Sequence, residues 1–402
     1  MDVKTDGVPD PRLGVTRREA LRRMGTGVIA APYILRGRYA FGGDGQEYSA
    51  RAVRLVTESP VVDMLCQFRF ADMAAPEPRA PYSWLEDPTA FTESDFATYR
   101  DSGVDVIALG WGGGDRDGAL QLMARWNGFV ASYGDWLRRV DDPRDFGTVA
   151  ETGKVGVMIT FQSSDHLTSV DDVDLFHGLG QRVSQLTYNF QNRIGSGFLE
   201  NRGGGLTVFG ERIVERMQHV GMAVDVSHCG DRTTMDAIQA ATRPVIFTHA
   251  SCRALLPGYM RCKTDDAIRA MADTGGVMGI PFIRFMIKEG PPVGVEDVVD
   301  HFDHVANLVG VEHVGIGSDL DIEGYGSPRP GPGGQQSPMS QPNVECYNAY
   351  FTEDGFAHIE GLNHSRRAFV LTDALIRRGY GDDDIRLMLG GNFARVLSDL
   401  WS

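Results

Sequence analysis

The sequence predicts an α/β fold, a parallel (β/α)8 barrel, on three observations. Eight short apolar runs rich in β-branched residues recur along the chain, amphipathic stretches separate them, and several runs begin just after Gly or Pro. Alternation of this kind, repeated eight times, is the pattern of strands closed into a barrel with helices outside.

The N-terminal stretch "VTRREALRRMGTGVIAAPYILRGR" carries a twin arginine, Arg17 and Arg18, followed by a mildly apolar run. That run is too short to span a bilayer. It reads as a twin-arginine export signal, with a basic amphipathic tail as the alternative. Residues 1–45 are accordingly set apart from a single barrel domain over 46–402, and the mature protein is expected in the periplasm or outside a bacterial cell.

The runs are "PVVDMLCQF" (60–68), "VDVIALGW" (104–111), "KVGVMITFQ" (154–162), "RVSQLTYNF" (182–190), "MAVDVSH" (222–228), "PVIFTH" (244–249), "GGVMGIPFI" (275–283) and "HVGIGSDLD" (313–321). Between them, "DRTTMDAIQAAT" (231–242) opens with an aspartate suited to capping a helix. In "TDDAIRAMADTGG" (264–276), Thr264 is the expected N-cap and a glycine pair the stop. One stretch exceeds the minimal barrel: 118–140 has apolar positions at Leu120, Met123, Trp126, Val130, Tyr133 and Leu137, which predicts a long extra helix with a packing face. After the eighth run, 323–342 is too rich in Gly, Pro and Ser for regular structure and is expected at the barrel mouth, where it would shape specificity.

The net charge of −15, from 39 basic and 54 acidic residues, argues against nucleic acid or an anionic membrane as partner. The five cysteines are odd in number and scattered, which is no disulfide framework.

Barrel enzymes place their chemistry at the C-terminal ends of the strands. The first run ends with Asp63, Leu65 and Gln67, which are expected to share a face because strand side chains alternate. The third supplies Gln162, and the fourth Tyr188 with Asn189 and Asn192 beyond it. The fifth and sixth stop at His228 and His249, and the eighth supplies Asp319, with Asp321 two residues on. Two imidazoles and a carboxylate converging on one mouth suggest a metal, and neutral imidazole suits zinc and its neighbours.

At these residues the chain resembles a known family. "DVSHCGDRTTMDAI", "PVIFTHASCRAL", "GYMRCKTDDAIRAMADTGGVMGI", "HVGIGSDLD" and "MLGGNFARVL" look like the renal, or membrane, dipeptidases, and the resemblance runs from about Pro60 to Leu397. It implies an amidohydrolase-type barrel, usually with two zinc ions and often dimeric, acting on dipeptides and related amides. By the same resemblance, His228 and His249 hold one metal, Arg261 meets the substrate carboxylate and Asp319 is the acid/base. Arg261 alternatively forms a surface pair with Asp265 or Asp266.

The departures are specific. Leu65 and Gln67 stand where the family carries His-x-Asp, Gln162 where it carries the bridging Glu, and Tyr188 where it carries a substrate-binding His. Leu65 has no donor atom. Gln67 and Gln162 keep an oxygen but remove two negative charges, so a carboxylate-bridged ion pair loses its bridge. One zinc ion on His228 and His249, completed by Gln162, Gln67, Asp319 or water, is therefore expected more readily than two, and none is the remaining option. Tyr188 either donates its hydroxyl to a substrate oxygen or fills volume.

The expected function is a metal-dependent, dipeptidase-like hydrolase of a dipeptide or small amide with a free carboxylate. The alternatives are a metal-poor member that isomerises or tailors a small metabolite, and a non-catalytic binding protein. The partner is thus a small molecule or dipeptide, with no nucleic acid, no transmembrane span and a possible homodimer.

Overall fold

The computed structural model describes residues 38–40, 47–68, 88–110, 114–200, 202–324 and 359–401, with only the backbone of 38–40 and of Gln67. The twin arginine and most of the Gly/Pro-rich stretch, from 325 on, lie outside the described residues. No helix among the described residues is long and apolar enough to cross a membrane.

All eight expected strands form: β1 Val62–Gln67, β2 Val106–Leu109, β3 Val155–Phe161, β4 Gln181–Gln185, β5 Ala223–Asp225, β6 Val245–Ile246, β7 Met278–Ile280 and β8 Val314–Ile316. They pair parallel in the order β7-β8-β1-β2-β3-β4-β5-β6. A single parallel bridge, Phe247 with Met278, joins β6 to β7 and closes the ring. The closing strands approach closely at Thr248. A Cβ on Gly279 would lie 2.1 Å from the Thr248 carbonyl oxygen, and one on Gly317 1.8 Å from it, so both positions require glycine.

Two apolar layers hold the barrel. Outside, the strands pack on the helices; inside, Val62, Met64, Val106, Ala108, Met158, Val183, Ala223 and Ile246 fill the lower lumen. The C-terminal helix, α-C (Asn392–Trp401), plugs the lumen from the strands' N-terminal side with Phe393, Val396, Leu397 and Leu400. Asn392 fixes that plug by donating to the Val311 and Val314 carbonyls at 2.7 and 2.8 Å. Register places Thr160 beside Val183, and Gln185, Asp225 and Ile246 in one row, so the inward face turns polar toward the mouth.

Three local expectations are corrected. The long helix runs only Arg116–Ser132; Gly134 and Asp135, poor helix formers, end it, and Leu137–Arg139 pairs parallel with β3. The apolar period continued because Tyr133 and Leu137 still pack into the same outer core. The helix Asp231–Ala240 is preceded by Gly230 at the cap position, and Asp231 instead meets Arg253 at 2.7 Å. Thr264 does cap Asp265–Asp273, accepting from the Ala267 N–H at 3.2 Å.

The third correction concerns β1. Asp63 sits opposite Ile107 and Cys66 opposite Leu109, with a register shift between them. Because Ile107 and Leu109 both belong to the outer core, Asp63 and Cys66 face the helices, and Asp63 does not share the lumen face as strict alternation would demand. There Asp63 accepts from the Ser318 N–H and hydroxyl at 2.8 and 2.5 Å, with Arg367 at 3.7 Å. Arg367, from the helix Arg367–Arg378, also donates to the Asp321 and Ile322 carbonyls at 2.8 and 2.9 Å. Close by, a Cβ on Gly324 would lie 2.4 Å from the Asn363 side-chain oxygen, so the chain re-enters where it left.

Candidate active site

The site is built on the turns after β5 and β6. Asp225 ends β5 and accepts four hydrogen bonds: from the Ser227 N–H (2.9 Å) and hydroxyl (2.5 Å), and from the Thr248 N–H (3.1 Å) and hydroxyl (2.5 Å). One buried carboxylate thereby shapes both turns alike and presents His228 and His249 to each other. Their Nε2 atoms lie 2.9 Å apart. His228 Nδ1 donates to Asn189 Oδ1 at 2.7 Å, and His249 Nδ1 lies 2.9 Å from Thr248 Oγ1. Both rings are buried. Burial first, and the nearby Arg261 guanidinium second, hold both imidazoles well below the usual histidine range, so both are neutral.

Arg261 is 2% exposed, which places it inside the site and not in a surface pair with Asp265 or Asp266. His304 and Arg269 take those two carboxylates. The Arg261 guanidinium donates to the Ser227 and His249 carbonyls at 2.5 and 2.8 Å, clamping both histidine turns. Lys263, two residues on, is buried too. It donates to the Val226 and Cys229 carbonyls and the Thr234 hydroxyl at 2.7, 2.9 and 3.0 Å, and burial pulls its ammonium down to about 7.

Tyr188 stacks its half-buried ring on His228, with centroids 4.2 Å apart and planes at 21°. Gln162 follows β3, nearly buried, and its carbonyl accepts from Gln185 Nε2. Gln67 ends β1, its backbone opposite Asp321. Asp319 is the one non-glycine residue with positive φ (55°) among the described residues, and its N–H donates to the Leu65 carbonyl at 2.7 Å. Such an outlier marks a position where the fold holds a side chain against its local preference. Leu65 itself is buried yet belongs to neither apolar cluster. Beside the His228 turn, a cleft of about 220 Å³ is lined by Phe198, Glu200, Asp231, Arg232 and Met260 among others.

The structure thus brings together His228, His249, Arg261 and Tyr188, and sets Asp319 on the Leu65 carbonyl at the end of β1. Asn189, Asp225, Thr248 and Lys263 complete the surroundings of the pair. The sequence places Asn189 just past a strand end with no sign of its role, and the D-x-S-H and T-H spacings are the only signals that could have pointed to Asp225 and Thr248.

The donor set discriminates between one ion and two. Two nitrogens each about 2.0–2.1 Å from a shared zinc lie at most about 4 Å apart, so the observed pair is within reach of one ion. Among the described residues, no group of three or more His, Cys, Asp or Glu is placed to hold a metal. With two imidazoles and no third His, Cys, Asp or Glu grouped with them among the described residues, the set fits one weakly held ion and does not fit a carboxylate-bridged pair.

Residues 50–329 match the family model described as membrane dipeptidase (peptidase family M19). An uncharacterized dipeptidase of Schizosaccharomyces pombe is 31% identical over 241 residues, covering 58% of this chain and 56% of that protein. Dipeptidase 3 of Rattus norvegicus is 27% identical over 252 residues, covering 61% and 45%. The chain therefore spans about half the length of the curated relatives it matches. Among solved structures, an amidohydrolase from Pseudomonas aeruginosa superposes with a TM-score of 0.71 at 23% identity, over 87% of this chain and 99% of that one. A Rhodobacter sphaeroides metallo peptidase, liganded with a phosphinate mimic of the dipeptide L-Ala-D-Ala, gives 0.66 at 18% identity, over 85% and 99%. At these identities the structural likeness carries the fold.

Proposed function

The chain belongs to the membrane dipeptidase family, peptidase family M19, and on that premise we propose that it is a metal-assisted hydrolase of a dipeptide or small amide with a free carboxylate, using at most one ion. The observation that carries this reading is the meeting of two buried, neutral imidazole nitrogens at 2.9 Å, each with its other ring nitrogen held. Neutral imidazole with a supported second nitrogen is the form in which histidine binds a cation.

In this reading His228 and His249 hold the ion, with zinc as the expected species, completed by water, Gln162 or Gln67. When bound, it supplies a water of lowered pKa at neutral pH. Asp319 would serve as the acid/base, accepting a proton from the attacking water and returning it to the leaving amine. Arg261 uses two of its five N–H donors on the Ser227 and His249 carbonyls and meets the substrate carboxylate with the others. Tyr188 seats its ring on His228 and offers its hydroxyl to a substrate oxygen. Export through Arg17 and Arg18 and pairing into a homodimer belong to the same reading; retention of an Arg17→Lys/Arg18→Lys variant inside the cell checks the first, and solution mass the second.

A second reading, a metal-poor enzyme that isomerises or tailors a small metabolite, is favoured by one observation. Arg261 and Lys263 bring two buried basic side chains close behind the histidines, where a dication would be repelled. Metal content separates the two. Protein purified without chelator and equilibrated with zinc is expected to hold about one ion per chain, lost in the His228→Ala/His249→Ala double variant, and to cleave members of a dipeptide panel. Zero ions with no dipeptide turnover would transfer the assignment to the second reading.

A further inference from the structure

Asp225 touches neither imidazole, yet its hydrogen bonds leave little freedom to the protons around His249. The Ser227 and Thr248 hydroxyls each have one proton, and each lies 2.5 Å from a different oxygen of the Asp225 carboxylate. The two carboxylate oxygens accept from four donors, so the Thr248 proton points at Asp225. Thr248 Oγ1 is then left with lone pairs toward His249 Nδ1 at 2.9 Å, and the proton in that bond must come from the ring. His249 consequently carries its hydrogen on Nδ1. Asn189 Oδ1, also an acceptor, imposes the same on His228. Both Nε2 lone pairs then face each other across 2.9 Å with no proton between them.

We infer that Asp225 is a positioning residue that acts through Thr248: it fixes the tautomer of His249 and so turns the histidine pair into two converging lone pairs that only a cation can join. The same carboxylate, by binding the Thr248 and Ser227 N–H groups, sets the depth of both turns. The consequence for ion affinity rests on the one-ion reading above; the tautomer itself does not.

Nitrogen-15 spectra of histidine side chains in the metal-free full chain test this directly, because protonated and unprotonated ring nitrogens resonate far apart. In the wild type both His228 and His249 are expected as Nδ1–H. Thr248→Val keeps the shape and removes the acceptor, so His249 is expected to lose its single tautomer, while Thr248→Ser restores it. Asp225→Asn offers an N–H to the Thr248 oxygen and frees its proton for His249 Nδ1, which moves the ring hydrogen to Nε2, as an aspartate-to-asparagine change does in a catalytic triad. Zinc affinity, read by chelator competition, is expected to fall 10–100-fold in the Val and Asn variants and to stay near wild type in the Ser variant. An Nε2–H His249 in the wild type, or a tautomer unmoved by both Thr248→Val and Asp225→Asn, would overturn the inference. A wild type that shows the expected tautomers but binds no ion would sink the one-ion reading and leave the role of Asp225 standing. Should Asp225→Asn fail to fold, the Val and Ser pair decides the matter alone.

Discussion

Leu65 shows how one side chain changes the chemistry available to a site. It is buried outside both apolar clusters and has no donor atom to offer a cation, while its carbonyl accepts from the Asp319 N–H. Restoring the family pattern with Leu65→His, Gln67→Asp and Gln162→Glu is expected to raise zinc from about one to about two ions per chain, measured by plasma mass spectrometry. A count that stays at one would assign the limit to the buried Arg261 and Lys263 side chains instead. Asp319→Ala is expected to lower kcat on any cleaved dipeptide by roughly 10²–10⁴-fold with ion content unchanged, the range for loss of a general acid/base. His228 and His249 were legible in the sequence because they end strand runs in a chain whose fold class dictates where strand ends meet, whereas Arg261 was legible only through the family resemblance. Asn189 and Thr248 were not legible as participants: their roles depend on hydrogen-bond direction between turns of different strands, which periodicity does not encode. The guanidinium of Arg261 was found, but its clamp on two carbonyls emerges only from the packing of those turns.

At the level of elements, strand existence was legible and strand geometry was not. Each apolar run contains a strand because short β-branched runs bounded by turn residues have few other stable fates. The bulge in β1 escaped, since a register shift leaves the run's composition unchanged while moving Asp63 from the lumen to Arg367. The extra helix was over-extended because one apolar face can be shared by a helix and the strand that follows it. Closure of the ring at β6 and β7 depends on glycine next to Thr248. Gly279→Ala is expected to destabilise the fold by about 1–3 kcal/mol or more, as overpacking does, and to shift His249; chemical denaturation and zinc affinity report the two effects separately.

Over the whole molecule, histidines that are buried neutral contribute to the loss of stability between about pH 6.5 and 4. His166, edge-on to Phe161 and Phe176, is held down to about 4 by burial, and His301 is lowered for the same reason. Unfolded histidine titrates near 6.5, so between about pH 6.5 and 4 the unfolded chain binds more protons than the folded one, and stability falls as pH falls. His166 alone contributes up to about 1.4 kcal/mol per pH unit within that window. A His166→Phe variant is expected to show a shallower loss of denaturation midpoint from pH 6.5 to 4, by about one proton, with no change in slope above pH 7.

Gly324 and Asn363 touch, and Arg367 ties the segment that ends at Gly324 to the helix that follows Asn363. The described chain thus leaves the barrel and returns to it through one doorway, whose two sides, Gly324 and Asn363, are held together by the barrel's own residues. A variant in which a short Gly/Ser linker joins Gly324 to Ile359 is therefore expected to keep the barrel fold, checked by circular dichroism and chemical denaturation. Both sides of the opening are pinned, so the frame prescribes where the intervening sequence starts and stops.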